Sequence, residues 1–409
     1  MSVSIPSFAK INLGLRIGAL RPDGFHELRT VYQTIGLHDI VRVSVGRGTG
    51  IEIRCDDPRV PCDSSNTCYK IAERVIEALK IRGRVVIEIE KRLPVQGGLG
   101  GASGNAVAAM LALAQAAKKQ LDPADRLQIA AEVGSDLPLF LIGGAILGVG
   151  RGEEVYPLPD LPATVCVIAL PEIAVSTPKA FRDWDELSGA GGLAREGRVR
   201  EGTASSRAEA ASINPCHSEP ALAGEESAGG QKKQVPRLGN HSRANDSASL
   251  GMTVFKVENS QETLKTAAEL THPAASDRML KSSREISAWL AAAEGGRRSG
   301  VSAKGGGRAE SLLLDLVRTG IENDFEKVVF PQHPELREVK SVLERSGAQY
   351  ASLSGSGSAV YGLFASRDKA AAAVKKLARQ GARSVVTSTL TRRQYWKRFQ
   401  VSSFERNDT

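Results

Sequence analysis

Polar and apolar positions change rhythm several times along this chain, and each rhythm predicts an element. Val85 to Glu90, VVIEIE, alternate apolar and polar residues, the period of a strand with one covered face. Soon afterwards Val107, Met110, Leu111 and Ala114 recur at helical spacing. Up to about residue 187, short alternating segments and helical segments are separated by turn signals such as RPDGFH, Arg21 to His26. After LLLDLV and GIENDFEKVVF, near residue 311 and beyond, a helix is expected over Glu335 to Ser346 and a strand around Tyr350 to Leu353. The turn SGSGS, a second strand in AVYGLF and a helix through DKAAAAVKKLARQ complete the pattern. Strand, glycine turn, strand and helix in that order suit an α+β fold.

Between the strand at Val85 to Glu90 and the helix that follows lies LPVQGGLGGASGNA, with five glycines, an alanine and a serine among the eight positions from Gly97 to Gly104. The first amides of a helix have no partners inside it, and the aligned peptide dipoles favour negative charge there. A loop stripped of side chains at that point therefore suits a phosphate. It is neither of the common phosphate loops, because it lacks the Gly-Lys-Ser/Thr ending and its glycines do not fit G-x-G-x-x-G. Ser103 or Asn105 is a candidate cap for the helix.

Composition changes the picture in the middle of the chain. From about residue 188 to 310 the sequence is rich in Gly, Ser, Ala, Glu and Arg and poor in aromatics. Such a stretch buries too little apolar surface to offset chain entropy, so it is read as a largely disordered insertion, with one short helix expected over Ser282 to Gly296. The chain has 409 residues, 41% of them hydrophobic and 24% charged, enough for two ordinary domains. No apolar run is long enough for a membrane span and the N-terminus lacks the regions of a signal peptide, so a cytoplasmic location is expected. Five cysteines without a Cys-x-x-Cys pair suggest reduced thiols and no dedicated metal ligands. The net charge of +8 comes from basic residues scattered among acidic ones, which argues against nucleic acid and fits a protein that handles anionic phosphates. The basic cluster TRRQYWKR, Thr391 to Arg398, is expected to be a solvated helix face.

Three further stretches carry candidate chemistry: FAKINLGL with Lys10 and Asn12, GSDLPLFL with Asp136, and the second glycine turn in SLSGSGSAVYGLF. Taken singly, a lysine on a strand is usually solvated, an Asp before Leu-Pro is usually a turn or cap, and a glycine turn is usually a hairpin. Together with the first loop, and in the order in which they occur, these stretches closely resemble the GHMP kinases, the superfamily of galactokinase, homoserine kinase and mevalonate kinase. RPDGFHEL and VSTPKAF, the latter at Val175 to Phe181, narrow the resemblance to the branch acting on a cytidine diphosphate-linked methylerythritol. The resemblance covers the chain except for roughly residues 188 to 310.

The resemblance implies a two-domain α+β fold with the active-site cleft between the domains. The N-terminal domain would be residues 1–160, and the C-terminal domain residues 161–187 resuming over 311–409. It implies ATP-dependent phosphorylation, with Mg2+, of the C2 hydroxyl of the methylerythritol unit in non-mevalonate isoprenoid precursor synthesis. Lys10 and Asp136 match the catalytic pair. ATP contacts fall on Asn66, Pro94, Gly97, Gly98, Leu99, Gly100, Gly101, Ala102, Ser103, Gly104 and Asn105. Asn12, Phe25, His26, Thr177 and Phe181 match the substrate side, with the rings of Phe25 and Phe181 stacking on cytosine and His26 hydrogen-bonding it. Gly355, Ser356 and Gly357 would support the phosphate loop, and the partners are small molecules only, bound by a monomer or a homodimer. One departure concerns Gly104, where the family commonly has a second serine, leaving Ser103 as the hydroxyl for phosphate or magnesium. The competing readings are another kinase of the superfamily and a nucleotide-binding pseudokinase with a regulatory role.

Overall fold

The protein is described from a computed structural model over residues 2–189 and 322–402, all within one compact unit. The insertion expected over 188–310, beyond residue 189, its short helix and the LLLDLV segment lie outside the described residues. Two long strands organise the fold. β1 (Ser2–Leu20) and β2 (His26–Gly46) pair antiparallel along their length around the turn that RPDGFH marks, where Gly24 takes a φ of 83° and the Arg21 amide donates to the Phe25 carbonyl. β2 also pairs with β4 (Arg84–Glu90) through its later half and with β5 (Ala145–Val149) through its earlier half. β3 (Ile51–Cys55) adds to β4 in parallel and β6 (Glu154–Pro157) to β5, giving a six-stranded sheet.

Four helices accompany this sheet: α1 (Thr67–Leu79), α2 (Gly101–Ala116), α3 (Pro123–Val133) and the short α4 (Leu137–Phe140). α2 follows the expected strand and loop, but it is buried on nearly every side. Residues from Ser103 to Met110 are all covered, because the helix is wedged between α1 and the β1–β2 pair. Gly104 is the point of closest approach. A Cβ there would stand 2.9 Å from Ser7 Oγ and 3.0 Å from the Phe8 carbonyl, so a side chain at this position would need the Ser7 hydroxyl to turn and β1 to give by a few tenths of an ångström.

A second, antiparallel sheet has the order β10–β7–β9–β8, from β7 (Val165–Leu170), β8 (Tyr350–Leu353), β9 (Val360–Phe364) and β10 (Arg383–Ser388). α5 (Thr177–Ser188), α6 (Glu326–Gln332), α7 (Pro334–Arg345) and α8 (Arg367–Arg379) pack with it through Trp184, Phe330, Leu336 and Leu377. A third apolar cluster joins the sheets, with Ile11, Val31 and Ile35 from the first and Cys166, Tyr361 and Leu363 from the second. The expected domain boundary near residue 160 falls between the last strand of one sheet and the first of the other.

The C-terminal cluster TRRQYWKR does form a helix, α9 (Arg392–Ser402), but it is not simply a solvated face. Tyr395 is fully buried, donates to the Phe140 carbonyl at 2.7 Å and packs on Phe8 and Phe399, while Trp396 donates to the Ile142 carbonyl. The aromatics in this cluster anchor the helix to the first core, and the basic residues between them obscure that in the sequence.

Candidate active site

β1 carries the first site residues. Lys10 and Asn12 are two apart and so share one face, while Ala9, Ile11 and Leu13 on the other face enter the shared core. Register shifts against β2 flank the pair, between Phe8 and Ala9 and between Asn12 and Gly14. Lys10 is 4% exposed, which a solvated strand lysine would not be. Its Nζ donates to Asn12 Oδ1 at 2.9 Å and lies 3.4 Å from Asp136 Oδ2. Asn12 in turn donates to Thr30 Oγ1 at 2.7 Å, and Thr30 donates to the Gly14 carbonyl.

Asp136 precedes α4, yet its side chain makes no capping bond. The carboxylate instead faces Lys10 with one oxygen and accepts from the Tyr32 hydroxyl with the other, at 3.0 Å. Burial, followed by the charge of Asp136, pushes the Tyr32 phenol well above its ordinary pKa, so it remains a donor.

The two glycine turns meet above this pair. Gly98 has a φ of 69°, and a Cβ on it would stand 2.1 Å from the Ser354 carbonyl oxygen and 3.0 Å from that of Gly357. Ser354 donates to the Gly98 carbonyl at 2.9 Å and the Ala359 amide donates to that of Gly97. Gly355 stands beside Lys10 Nζ and Asn12 Oδ1, and Gly100 closes over the stem of Lys10, where a Cβ would be 3.0 Å from Cγ. The tightest approach is therefore at Gly98, with Gly355 and Gly357 allowing the facing turn its left-handed bends.

α2 starts at this loop with Gly100 as its cap residue, so neither Ser103 nor Asn105 caps it. Asn105 points behind the loop, where its amide donates to Asp39 Oδ2 at 3.0 Å. Asp39 is fully buried and also accepts from Lys91 Nζ at 2.7 Å and from the backbone amides of Arg92 and Leu93. One carboxylate thus binds the end of β4, the entry to the loop and the second turn of α2. Lys91 Nζ lies 3.2 Å from where a Cβ of Gly101 would be, which brings an ammonium to the start of α2. A cavity alongside is lined by Asn66, Lys91, Pro94, Gln96, Gly97 and Ala102. Asn66 spends its amide on structure, capping α1 through the Cys68 amide at 2.8 Å and donating to the Pro61 carbonyl.

On the other side of the Lys10–Asp136 pair, the β1–β2 turn meets α5. His26 Nε2 lies 2.7 Å from Asp185 Oδ1, and the His26 ring stacks on Phe181 with centroids 5.0 Å apart. Phe181 also meets Phe325 edge-on. Phe25 lies under the guanidinium of Arg151, 5.0 Å from its ring centre. Thr177 and Ser356 share a hydroxyl–hydroxyl bond of 2.7 Å, linking α5 to the second glycine turn. Asn323 pins that turn by donating to the Leu353 and Gly355 carbonyls.

The GHMP kinases N terminal domain profile matches residues 66–144, and the GHMP kinases C terminal profile matches residues 309–383. A 4-diphosphocytidyl-2-C-methyl-D-erythritol kinase of Solibacter usitatus is 31% identical over 96% of this chain and 91% of its own length. The chain belongs to the GHMP kinase family. A second such kinase, of Acetivibrio thermocellus, is 39% identical over 43% of this chain and 62% of its own length. Among solved GHMP kinase structures, a 4-(cytidine 5'-diphospho)-2C-methyl-D-erythritol kinase matches with a TM-score of 0.55 and 23% identity, covering 94% of this chain and 98% of its own. A homoserine kinase from Cytophaga hutchinsonii has the same TM-score at 18% identity, covering 95% of each chain, so these likenesses concern the fold.

In this GHMP kinase, sequence reasoning singled out both glycine turns, Lys10 and Asp136, but passed over Tyr32, Asp39, Lys91 and Asn323. Tyr32 and Asp39 sit within a stretch of alternating residues that reads as ordinary strand. An Asp inside the strand-like run from Ile35 to Val45 was the available signal, since Asp is depleted in strands.

Proposed function

We infer that this chain phosphorylates the C2 hydroxyl of 4-diphosphocytidyl-2-C-methyl-D-erythritol at the expense of ATP, giving the 2-phosphate and ADP. The observation that carries the reading is the pair of buried Lys10 and partly exposed Asp136, 3.4 Å apart beneath two interlocked glycine turns. Phosphoryl transfer asks a protein mainly to align an alcohol with the γ-phosphate and to offset spreading negative charge. With the acceptor oxygen between Lys10 and Asp136, Asp136 takes the hydroxyl proton, a contribution of roughly 10² to 10⁴ in rate. A bond forms from that oxygen to the γ-phosphorus, and the bond to the β–γ bridging oxygen breaks. The Lys10 ammonium offsets the charge gathering on the acceptor oxygen.

The unpartnered amides at the start of α2 and the side-chain-free loop fit the ATP phosphates, with the Lys91 ammonium close by. Among the described residues no group of three or more His, Cys, Asp or Glu side chains is gathered for a metal. Mg2+ bound with the nucleotide would neutralise phosphate charge, and Ser103 in the first turn of α2 is the hydroxyl that would contact it. Asn66, Pro94, Gly97, Leu99 and Ala102 border the nucleotide by shape, since the Asn66 amide is engaged elsewhere.

The cytidine lies by His26, Phe25 and Phe181, where stacking on an aromatic face contributes about 1–3 kcal/mol. Asn12 meets the erythritol portion, and Thr177 with Ser356 the diphosphate side. All these groups belong to one chain, so a monomer or a homodimer has complete sites. The two-domain division near residue 160, with the cleft between, is part of the same reading.

The test is ADP release by the purified protein with Mg-ATP and 4-diphosphocytidyl-2-C-methyl-D-erythritol, beside mevalonate, homoserine and no acceptor. Release with the cytidine substrate alone is expected. Release with mevalonate or homoserine instead overturns the substrate assignment, and silence with every acceptor overturns the kinase reading.

A further inference from the structure

Beside the Lys10–Asp136 pair stands a side chain that the phosphorylation reading leaves without a task. Tyr32 lies on β2, with its Cα paired to Asn12 on one side and to Ile146 on the other, and is 2% exposed. Its ring occupies a slot made by glycines. A Cβ on Gly148 would stand 2.5 Å from Tyr32 Cε2, and a Cβ on Gly152, whose φ is 104°, would stand 2.6 Å from the Tyr32 hydroxyl oxygen. Neither glycine accepts a side chain while that ring and hydroxyl remain in place. The hydroxyl donates to Asp136 Oδ1 at 3.0 Å, and Lys10 Nζ lies 5.6 Å from the ring centre.

Asp136 needs such a partner. Its side chain is 24% exposed, it makes no capping bond to α4, and its contact with Lys10 is a 3.4 Å ion pair through Oδ2 alone. An aspartate tied through one oxygen is free to turn about its last torsion, which has two broad wells. A donor on the second oxygen selects one of them. A catalytic group held in one orientation by a neighbour raises the rate without adding to substrate binding.

Resting on the kinase reading above, we propose that Tyr32 is a positioning residue for phosphoryl transfer: its hydroxyl holds Asp136 Oδ1 so that Oδ2 faces the acceptor hydroxyl beside Lys10. The other charged groups near this contact are Lys10 from β1 and Glu153 from the turn between β5 and β6, and Glu153 is itself engaged by Arg151 Nε at 3.0 Å. The Tyr32 hydroxyl is the side-chain donor on Oδ1.

The test uses Tyr32→Phe, which keeps the ring in its slot and removes only the hydroxyl. With Mg-ATP and 4-diphosphocytidyl-2-C-methyl-D-erythritol, kcat is expected to fall about tenfold or more while both KM values stay within about twofold, the pattern of a lost transition-state interaction. In an Asp136→Asn background, followed with γ-labelled ATP for sensitivity, the same change is expected to cost no more than about twofold, because the two residues act as one unit. An unchanged kcat in Tyr32→Phe overturns the proposal. So does an equal loss in the Asp136→Asn background, or a loss spread over both KM values with a lowered Tm, since each marks a packing role. Wild-type protein in the same assay separates this from the kinase reading, which fails only if the wild type itself transfers no phosphate.

Discussion

Asp136 and Lys10 show how little of a residue's chemistry is visible in its type. Asp136 has the sequence context of a helix cap and does not cap; its oxygens are divided between Lys10 and Tyr32. If it accepts the hydroxyl proton, Asp136→Asn retains binding of both substrates and loses roughly 10² to 10⁴ in kcat, measured by ADP release with nucleotide binding followed separately. A variant with near-normal turnover would remove Asp136 from that role. Gly98 is the complementary case, a residue defined by what it lacks. Gly98→Ala sets a Cβ against the Ser354 carbonyl at a backbone angle that L-residues disfavour, so the turns must part. We expect a loss of about 2–4 kcal/mol in denaturant unfolding and a raised KM for ATP, with the acceptor KM little changed. A variant as stable as wild type would show that the two turns do not need their contact.

At the scale of elements, the first glycine loop is held from behind by Asp39, which joins β4, the loop entry and α2 through Lys91, two backbone amides and Asn105. Breaking a buried ion pair from one side leaves the other charge uncompensated and costs about 3–5 kcal/mol. Asp39→Asn is therefore expected to be destabilised by that amount, and adding Lys91→Met is expected to restore part of it. Chemical denaturation of the two variants checks this, and failure of the second change to recover any stability counts against the ion pair as the cause. Strand β4 and helix α8 were legible in the sequence from their period, and helix α2 and the strands β8 and β9 from apolar runs beside the two glycine turns. α9 was legible as a helix but not as a core element, since Tyr395 and Phe399 are interleaved with arginines and a lysine.

Across the whole molecule the two sheets share a core, in which Ile11 and Ile35 meet residues such as Tyr361 and Leu363. Tyr361 also donates to the Asn12 carbonyl at 2.7 Å, tying the second sheet to the strand that carries Lys10. A shared core couples the unfolding of its contributors. Trp184 belongs to the second sheet's cluster and Trp396 packs against the first, so they report on the two halves. Variants in which Trp289 and one of these two are replaced, leaving a single tryptophan, are expected to show coincident denaturation midpoints, and two clearly separated midpoints would mean that the halves unfold independently.

Periodicity and glycine density, both local properties, were enough to establish the strand–loop–helix unit, the second glycine turn and the α+β class. The stretches carrying Lys10 and Asp136 were singled out from the sequence too, because ionisable residues stood in apolar surroundings and in a family's order. Tertiary structure decided what those residues touch. The chain separates Lys10, Tyr32, Asp136 and Gly98 widely, and only the crossing of β1, β2, α4 and the two turns brings them together. The burial of Asp39, the close approach of Gly104 to β1 and the slot that admits Tyr32 likewise depend on distances between elements, which no pattern along a single chain encodes.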